Sequence, residues 1–332
     1  MTGERVLVTG ASGFLGGALA RHLIASGREV TVMQRGPSGL PCAEIRGDIT
    51  DPEAVARALV GCDSVVHLAA KVAISGPARE FVEVNVDGTR TMLEAARTAG
   101  VSRFVHVSSP SVAHGGTALV GADAGGADPN RARGDYARTK AVAERMALAA
   151  DAPGFAVVAI RPHLVWGPGD EQLVGRIVAR ARAGRLFLIA GGCALIDSTY
   201  VDNAVTALVA ALDRSPDEEV HGRVFVVSNG QPRTVAELLA GMARAAGAPG
   251  PGRSLPYWLA RSAGSVVERA WRVHPRGGSA GEPPLTSFLA EQLGTAHWFD
   301  QRETRRALEW RPAVGLDEGF ARLAAWFEQS GR

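Results

Sequence analysis

The chain has 332 residues, 46% of them apolar and 21% charged, with a formal net charge of only +2. That balance fits a globular protein with a sizeable buried core and gives no electrostatic case for nucleic acid as a partner. Nearly all the positive charge is arginine, since Lys71 and Lys140 are the only lysines, so any chemistry that needs a lysine has two candidates. Cys42, Cys62 and Cys193 are odd in number, widely spaced and without metal-ligand spacing, and read as unpaired thiols in a reducing compartment. The amino-terminal residues enter a strand without a signal-peptide pattern, and no apolar run has transmembrane length. A cytoplasmic protein without stable membrane insertion, and without a metal, is expected.

In chain order, residues 5–9, 29–34, 43–47, 64–68, 103–108 and 155–161 form short apolar runs that predict strands, with amphipathic helical patterns between them. Such alternation predicts an α/β architecture, a Rossmann-type doubly wound parallel sheet covered on both faces. Ligands of such sheets lie at the carboxyl ends of the strands. After Pro168 the rhythm changes to an arginine-rich helix at 176–185, strands near 186–189 and 224–227, and helices near 235–246 and 316–327. Two Gly-rich segments, 114–134 and 272–284, predict mobile loops over a site.

The segment Thr9-Gly10-Ala11-Ser12-Gly13-Phe14-Leu15-Gly16 follows the first strand and opens a helix whose apolar face carries Leu15, Leu19, Leu23 and Ile24. In a dinucleotide site Gly10 permits the tight turn, Gly13 lets the pyrophosphate approach the backbone, and Gly16 allows close helix packing. Ser12, Phe14 and Leu15 share that turn and are further cofactor candidates. An NAD site normally ends its second strand in an acid that accepts from the ribose hydroxyls. Here that strand ends Val32-Met33-Gln34-Arg35-Gly36, and Arg35 suits the extra 2′-phosphate of NADP, its alternative being a solvated loop residue. NADPH is therefore the preferred cofactor, with NADH allowed. Asp48 and Ile49 after the third strand, and Leu68, Ala69 and Ala70 after the fourth, fall at the same edge. The expected organisation is an NAD(P)-binding domain over residues 1–165, its sheet completed by parts of 195–230, with residues 166–332 forming mainly a smaller substrate lobe.

Tyr136 and Lys140 lie four residues apart in a helical stretch, so both project from one face and can act on one ligand. With three tyrosines and two lysines in the chain, this spacing rarely arises by chance. A phenol with its ordinary pKa of about 10 is a poor base, and a neighbouring ammonium together with a cationic nicotinamide is expected to lower that value and ease proton transfer. The fifth strand ends in Ser108-Ser109-Pro110-Ser111, where a hydroxyl can hydrogen-bond a reacting carbonyl; Ser109 is preferred over Ser108 and Ser111.

The glycine motif, Ser109, the Tyr136/Lys140 pair, Asn85 in Asn85-Val86-Asp87-Gly88-Thr89, and Arg161-Pro162 together resemble an extended short-chain dehydrogenase/reductase over nearly the whole chain. Ser108 to Val112 and Tyr200 to Asn203 resemble its 3β-hydroxysteroid dehydrogenase/isomerase branch. Three stretches, Arg161 to Asp170, Val178 to Ile189 and Glu282 to Asp300, are similar to bacterial 2-alkyl-3-oxoalkanoate reductases of long-chain olefin and β-lactone biosynthesis. The resemblance implies that Ser109 polarises a ketone, Tyr136 donates the proton, and Lys140 holds the nicotinamide ribose and tunes the phenol. It implies that Asn85 anchors a water or backbone relay, although packing beside a helix is equally open. Pro162, Leu164 and Val165 would lie beside the nicotinamide, Ser111 and His163 are substrate candidates, and Tyr200 to Asn203 would fasten the substrate lobe.

The implied activity is reduction of a long-chain 2-alkyl-3-oxoalkanoic acid to the 3-hydroxy acid. Its partners would be a lipid-like small molecule, enzymes of the same pathway and, in a homodimer, a second copy. The alternatives are a hydroxysteroid or sterol dehydrogenase, a nucleotide-sugar epimerase or dehydratase, and a noncatalytic NADP-binding sensor. The basic helix at 176–185 reads as a solvated amphipathic face rather than an anion site. Leu255 to Trp271, with Tyr257 and Trp258, reads as a pocket wall or a protein interface.

Overall fold

The computed structural model describes residues 4–73, 76–273 and 286–331. Its centre is a seven-stranded parallel sheet in the spatial order Val224–Val227, Ala156–Pro162, Arg103–Val107, Ser64–His67, Arg5–Thr9, Glu29–Gln34 and Ala43–Arg46. The central strands are mainly apolar because both faces of the sheet are covered. On one face Val6, Val8, Val105, Val107, Val158 and Ile160 meet Leu19 and Leu23 of helix Phe14–Ala25, and Leu208 and Leu212 of helix Val201–Arg214. The alternate residues Leu7, Val65, Phe104 and Val157 point the other way, onto helices Pro52–Ala58, Gly88–Thr98 and Gly134–Ala149. This is the expected doubly wound architecture, with Val224–Val227 completing its edge.

The carboxyl-terminal lobe has its own core. Trp166, Ile177, Leu238, Met242, Leu316, Leu323 and Phe327 bury one another beneath helices Val174–Arg182, Val235–Ala245 and Leu316–Ser330. The basic helix thus runs over 174–182 rather than 176–185. The Asp170 carboxylate accepts the amides of Gln172, Leu173 and Val174 at its start, and Gly184, at a φ of +65°, turns the chain left-handed just beyond its end. It buries Val174, Ile177, Val178 and Ala181, with Arg176 and Arg182 on the exposed side, which is the solvated amphipathic face expected.

The segment 114–134 departs from the expectation of a structureless loop. It contains strand Leu119–Ala122, which pairs with His297–Phe299 in a small sheet that also holds Leu195–Ile196 and Arg233–Thr234. A lone four-residue strand carries little sequence signal, because its partner lies more than 170 residues away. Residues 274–284 of the second predicted loop, and 282–285 of the third resembling stretch, lie outside the described residues.

Candidate active site

The glycine turn is built as a close approach of backbones. Gly10, at a φ of +76°, donates its amide to Met33 O at 2.9 Å, and a Cβ on it would meet Ala69 N at 3.0 Å. A Cβ on Gly16 would sit 2.4 Å from Gly10 O, so helix and turn pack this tightly only without a side chain there. Gly13 caps the following helix without a side-chain hydrogen bond, leaving the amides of its first turn for an anion. Ser12 is exposed beside them, whereas Phe14 and Leu15 are partly buried, packed toward the carboxyl-terminal lobe. Thr9 Oγ1 accepts the amides of Leu68 and Ala69 at 3.1 and 3.0 Å and so pins the fourth strand's end, followed by Ala70, against this turn. These features fit a dinucleotide pyrophosphate.

Arg35 is exposed at the end of the second strand. Beside it stands an acid that sequence reading missed. Glu44, one strand over, accepts from Gln34 Nε2 at 3.1 Å, Ser38 N at 2.8 Å, Ser38 Oγ at 2.6 Å and Arg46 Nε at 2.8 Å. The Ser38 hydroxyl and then Arg46 hold its carboxyl down at about 2. This carboxylate is committed to the 35–43 loop. Asp48 caps the next turn through Thr50 N at 3.0 Å, while the Ile49 side chain is buried against Gly88, so it is a core residue at that edge.

At the carboxyl end of the fifth strand Ser109 caps the short helix Pro110–Ala113, with its Oγ 2.9 Å from Ser111 Oγ. The Ser109 hydroxyl is also near enough to the Tyr136 phenol to favour its ionised form. Tyr136 and Lys140 share one face of helix Gly134–Ala149, as expected from their spacing. The expectation that Lys140 lowers the Tyr136 pKa is corrected. Burial pushes the phenol up, the Ser109 hydroxyl pulls it partly back, and the Lys140 ammonium is turned instead onto Val107 O at 2.6 Å. Burial draws Lys140 itself down to about 8, against the opposing charge of Glu144.

Asn85 sits in a π-helical turn, Val82–Asp87, and its amide is fully engaged: Oδ1 accepts Lys71 N at 2.7 Å, and Nδ2 donates to Lys71 O at 3.2 Å and Thr139 Oγ1 at 3.1 Å. It therefore braces helix Gly134–Ala149 between Tyr136 and Lys140.

Pro162 ends the sixth core strand, and Leu164 follows with a φ of +44°, an uncommon value outside glycine that swings Val165 into a two-residue pairing with Thr199. His163 is buried edge-on to Phe299 at 5.1 Å and to His297 at 6.3 Å, and His297 meets His114 at 4.9 Å. Among the described residues, His163 Nδ1, His297 Nδ1, His114 Nε2 and Ser108 Oγ are buried without hydrogen-bond partners, forming polar patches near the strand ends. His114 and His297 were not singled out from sequence, because they come from segments 183 residues apart that meet only through the Leu119–Ala122 pairing.

Trp166 lies wholly inside the lobe, donating to Ser198 Oγ at 3.0 Å and stacked on Phe320. Asn203 donates to Asn229 Oδ1 and Val314 O and accepts the amides of Ala313 and Val314, fastening the lobe. Of the stretch 255–271, read as a pocket wall or a protein interface, Trp258 is 68% exposed, while Tyr257 packs beside Ile189 and Gly294. The Trp271 side chain lies outside the described ones. Among the described residues no helix is long and apolar enough to cross a membrane, and no cluster has the makings of a metal site.

A doubly wound sheet with a glycine turn, Ser109 at the end of the fifth strand, and Tyr136 with a lysine one helical turn on defines the class: an NAD(P)-dependent oxidoreductase of the extended short-chain dehydrogenase/reductase type. The chain belongs to the NAD dependent epimerase/dehydratase family, whose model matches residues 6–228. It is 40% identical over 330 residues to the 2-alkyl-3-oxoalkanoate reductase of Stenotrophomonas maltophilia, covering 97% of this chain and 98% of that one. It is 31% identical to the 3-beta-hydroxysteroid dehydrogenase of Mycolicibacterium neoaurum, covering 97% and 91%. Among solved structures it is similar to MoeE5 in complex with UDP-glucose and NAD, with a TM-score of 0.74, 27% identity, and 99% and 100% of the two chains covered.

Proposed function

We propose that the protein reduces the 3-keto group of a long-chain 2-alkyl-3-oxoalkanoic acid to the 2-alkyl-3-hydroxy acid, with NADPH as the preferred hydride donor. The observation that carries the substrate is the end-to-end 40% identity with a 2-alkyl-3-oxoalkanoate reductase. The glycine turn, Arg35, the Leu68–Ala70 edge and Lys140 would hold the dinucleotide, which when bound supplies a hydride to the carbonyl carbon. Ser109 donates a hydrogen bond to the carbonyl oxygen and Tyr136 gives that oxygen its proton, so that a C–H and an O–H bond form as the C=O π bond is lost. The raised pKa of Tyr136 favours this direction, because a donor must keep its proton until the alkoxide develops. Support for NADPH comes from the exposed Arg35 and from Glu44 being spent on its own loop.

The reading extends to a place in olefin or β-lactone hydrocarbon biosynthesis in the cytoplasm. A β-keto acid loses carbon dioxide readily, so docking near the condensing enzyme that makes it, as well as a homodimer, belongs to the same proposal.

The test is the initial rate of NADPH and NADH oxidation with a synthetic long-chain 2-alkyl-3-oxo acid, using Tyr136→Phe as the blank. Fast NADPH oxidation, lost in the variant whose cofactor binding persists, is expected. Turnover of a 3-hydroxysteroid with NAD, and none of the oxo acid, would replace this substrate with a sterol.

A further inference from the structure

Lys140 is only 3% exposed, and besides Val107 O its ammonium faces His106 Nε2 at 3.5 Å. His106 comes from the fifth strand, 34 residues earlier, and is fully buried. In register it sits beside His67, which sits beside Thr9, so three polar side chains cross the central strands at their carboxyl edge. His67 is satisfied: its Nδ1 lies 2.9 Å from Thr9 Oγ1 and its Nε2 3.2 Å from Thr89 Oγ1. The two imidazoles are 5.8 Å apart. His106 differs from its neighbour, because its Nδ1 has no partner and Lys140 is the one hydrogen-bonding group it meets among the described residues.

Burial first, then the Lys140 charge, hold both histidines below their ordinary range, so both are neutral near pH 7. A neutral imidazole facing an ammonium can only accept at that nitrogen, which puts the His106 hydrogen on Nδ1. Burying an imidazole with an unpaired N–H is unfavourable, and a purely apolar side chain would fill this position at less cost. What the ring offers here that an apolar side chain would not is an acceptor for Lys140. The other charge bearing on Lys140 is Glu144, one helical turn on, whose carboxylate is taken by Arg161.

We propose that His106 is a positioning residue that holds the Lys140 ammonium through its Nε2 lone pair. Val107 O and His106 take two of the three N–H groups, and the third is kept for the nicotinamide ribose. This rests on the reading that Lys140 acts at the cofactor.

The chain has two lysines, so protein labelled with ¹³C at lysine Cε gives two signals, assigned with Lys71→Arg, and Lys140 is titrated directly without substrate. His106→Phe keeps the bulk and removes the acceptor; the Lys140 midpoint falls by roughly one pH unit. His106→Gln, whose Oε1 reaches where Nε2 was, restores it. The alkaline limb of kcat moves with the midpoint in both. An unchanged midpoint in His106→Phe, or a His106→Gln protein displaced as far as His106→Phe, overturns the proposal. Should His106→Phe fail to fold, His106→Asn, too short to reach Lys140, takes its place. A wild-type protein inactive on the oxo acid removes the substrate assignment and leaves the lysine titration readable.

Discussion

Arg161 and Glu144 form a bidentate ion pair whose side chains are 0% and 1% exposed. Arg161 Nε meets Glu144 Oε2 at 2.7 Å and Nη2 meets Oε1 at 2.5 Å, while Nη1 donates to Ala124 O. The pair ties the sixth core strand to helix Gly134–Ala149 one turn beyond Lys140, and to the segment that follows Ser109.

Removing one partner leaves the other charge buried and alone, which costs about 3–5 kcal/mol. Glu144→Leu and Arg161→Met are each expected to lower the melting temperature by roughly 5–10 °C. The double variant should recover most of the loss, because a well-packed apolar pair of similar volume is often as stable as the ion pair. Additive losses in the double variant, measured by calorimetry, would show that the charges are not compensating one another.

Activity and stability should respond oppositely to alkali through Lys140. Its folded pKa is about 8, below the unfolded value of 10.5, so between those limits the unfolded chain binds more protons. Its contribution to stability therefore rises with pH across that window and is at its lowest below pH 8. Turnover falls across the same window as the ammonium is lost. Lys140→Met is expected to be inactive yet more stable at pH 7, by an amount on the order of 2 kcal/mol, with the gap closing toward pH 10. Urea unfolding of both proteins at pH 7 and 10 checks the sign; a variant less stable at pH 7 would mean that the Val107 contact outweighs burial.

Arg35 is the residue on which the proposed preference for NADPH turns. Arg35→Ala is expected to raise the KM for NADPH about 10- to 100-fold and to leave that for NADH unchanged, because only the 2′-phosphate differs between them. Equal effects on both cofactors would place Arg35 at the adenine or in the loop instead.

What the sequence determined by itself was local. Apolar runs alternating with helical patterns specify strands buried on both faces, and the glycine spacing at 10, 13 and 16 follows from a turn within eight residues. Tyr136 and Lys140 share a face because 3.6 residues per turn places i and i+4 together wherever the helix lies. Tertiary structure decided which group faces each charge: His106 and Val107 against the buried Lys140, Arg161 against the buried Glu144, and Ser38 and Gln34 against the partly exposed Glu44. No periodicity encodes those partners, since they depend on which strands become neighbours and on the register between them. The sequence implied an ammonium aimed at the phenol. The packed sheet turned it onto the strand beneath, where a carbonyl and an imidazole could satisfy a charge that water no longer reaches.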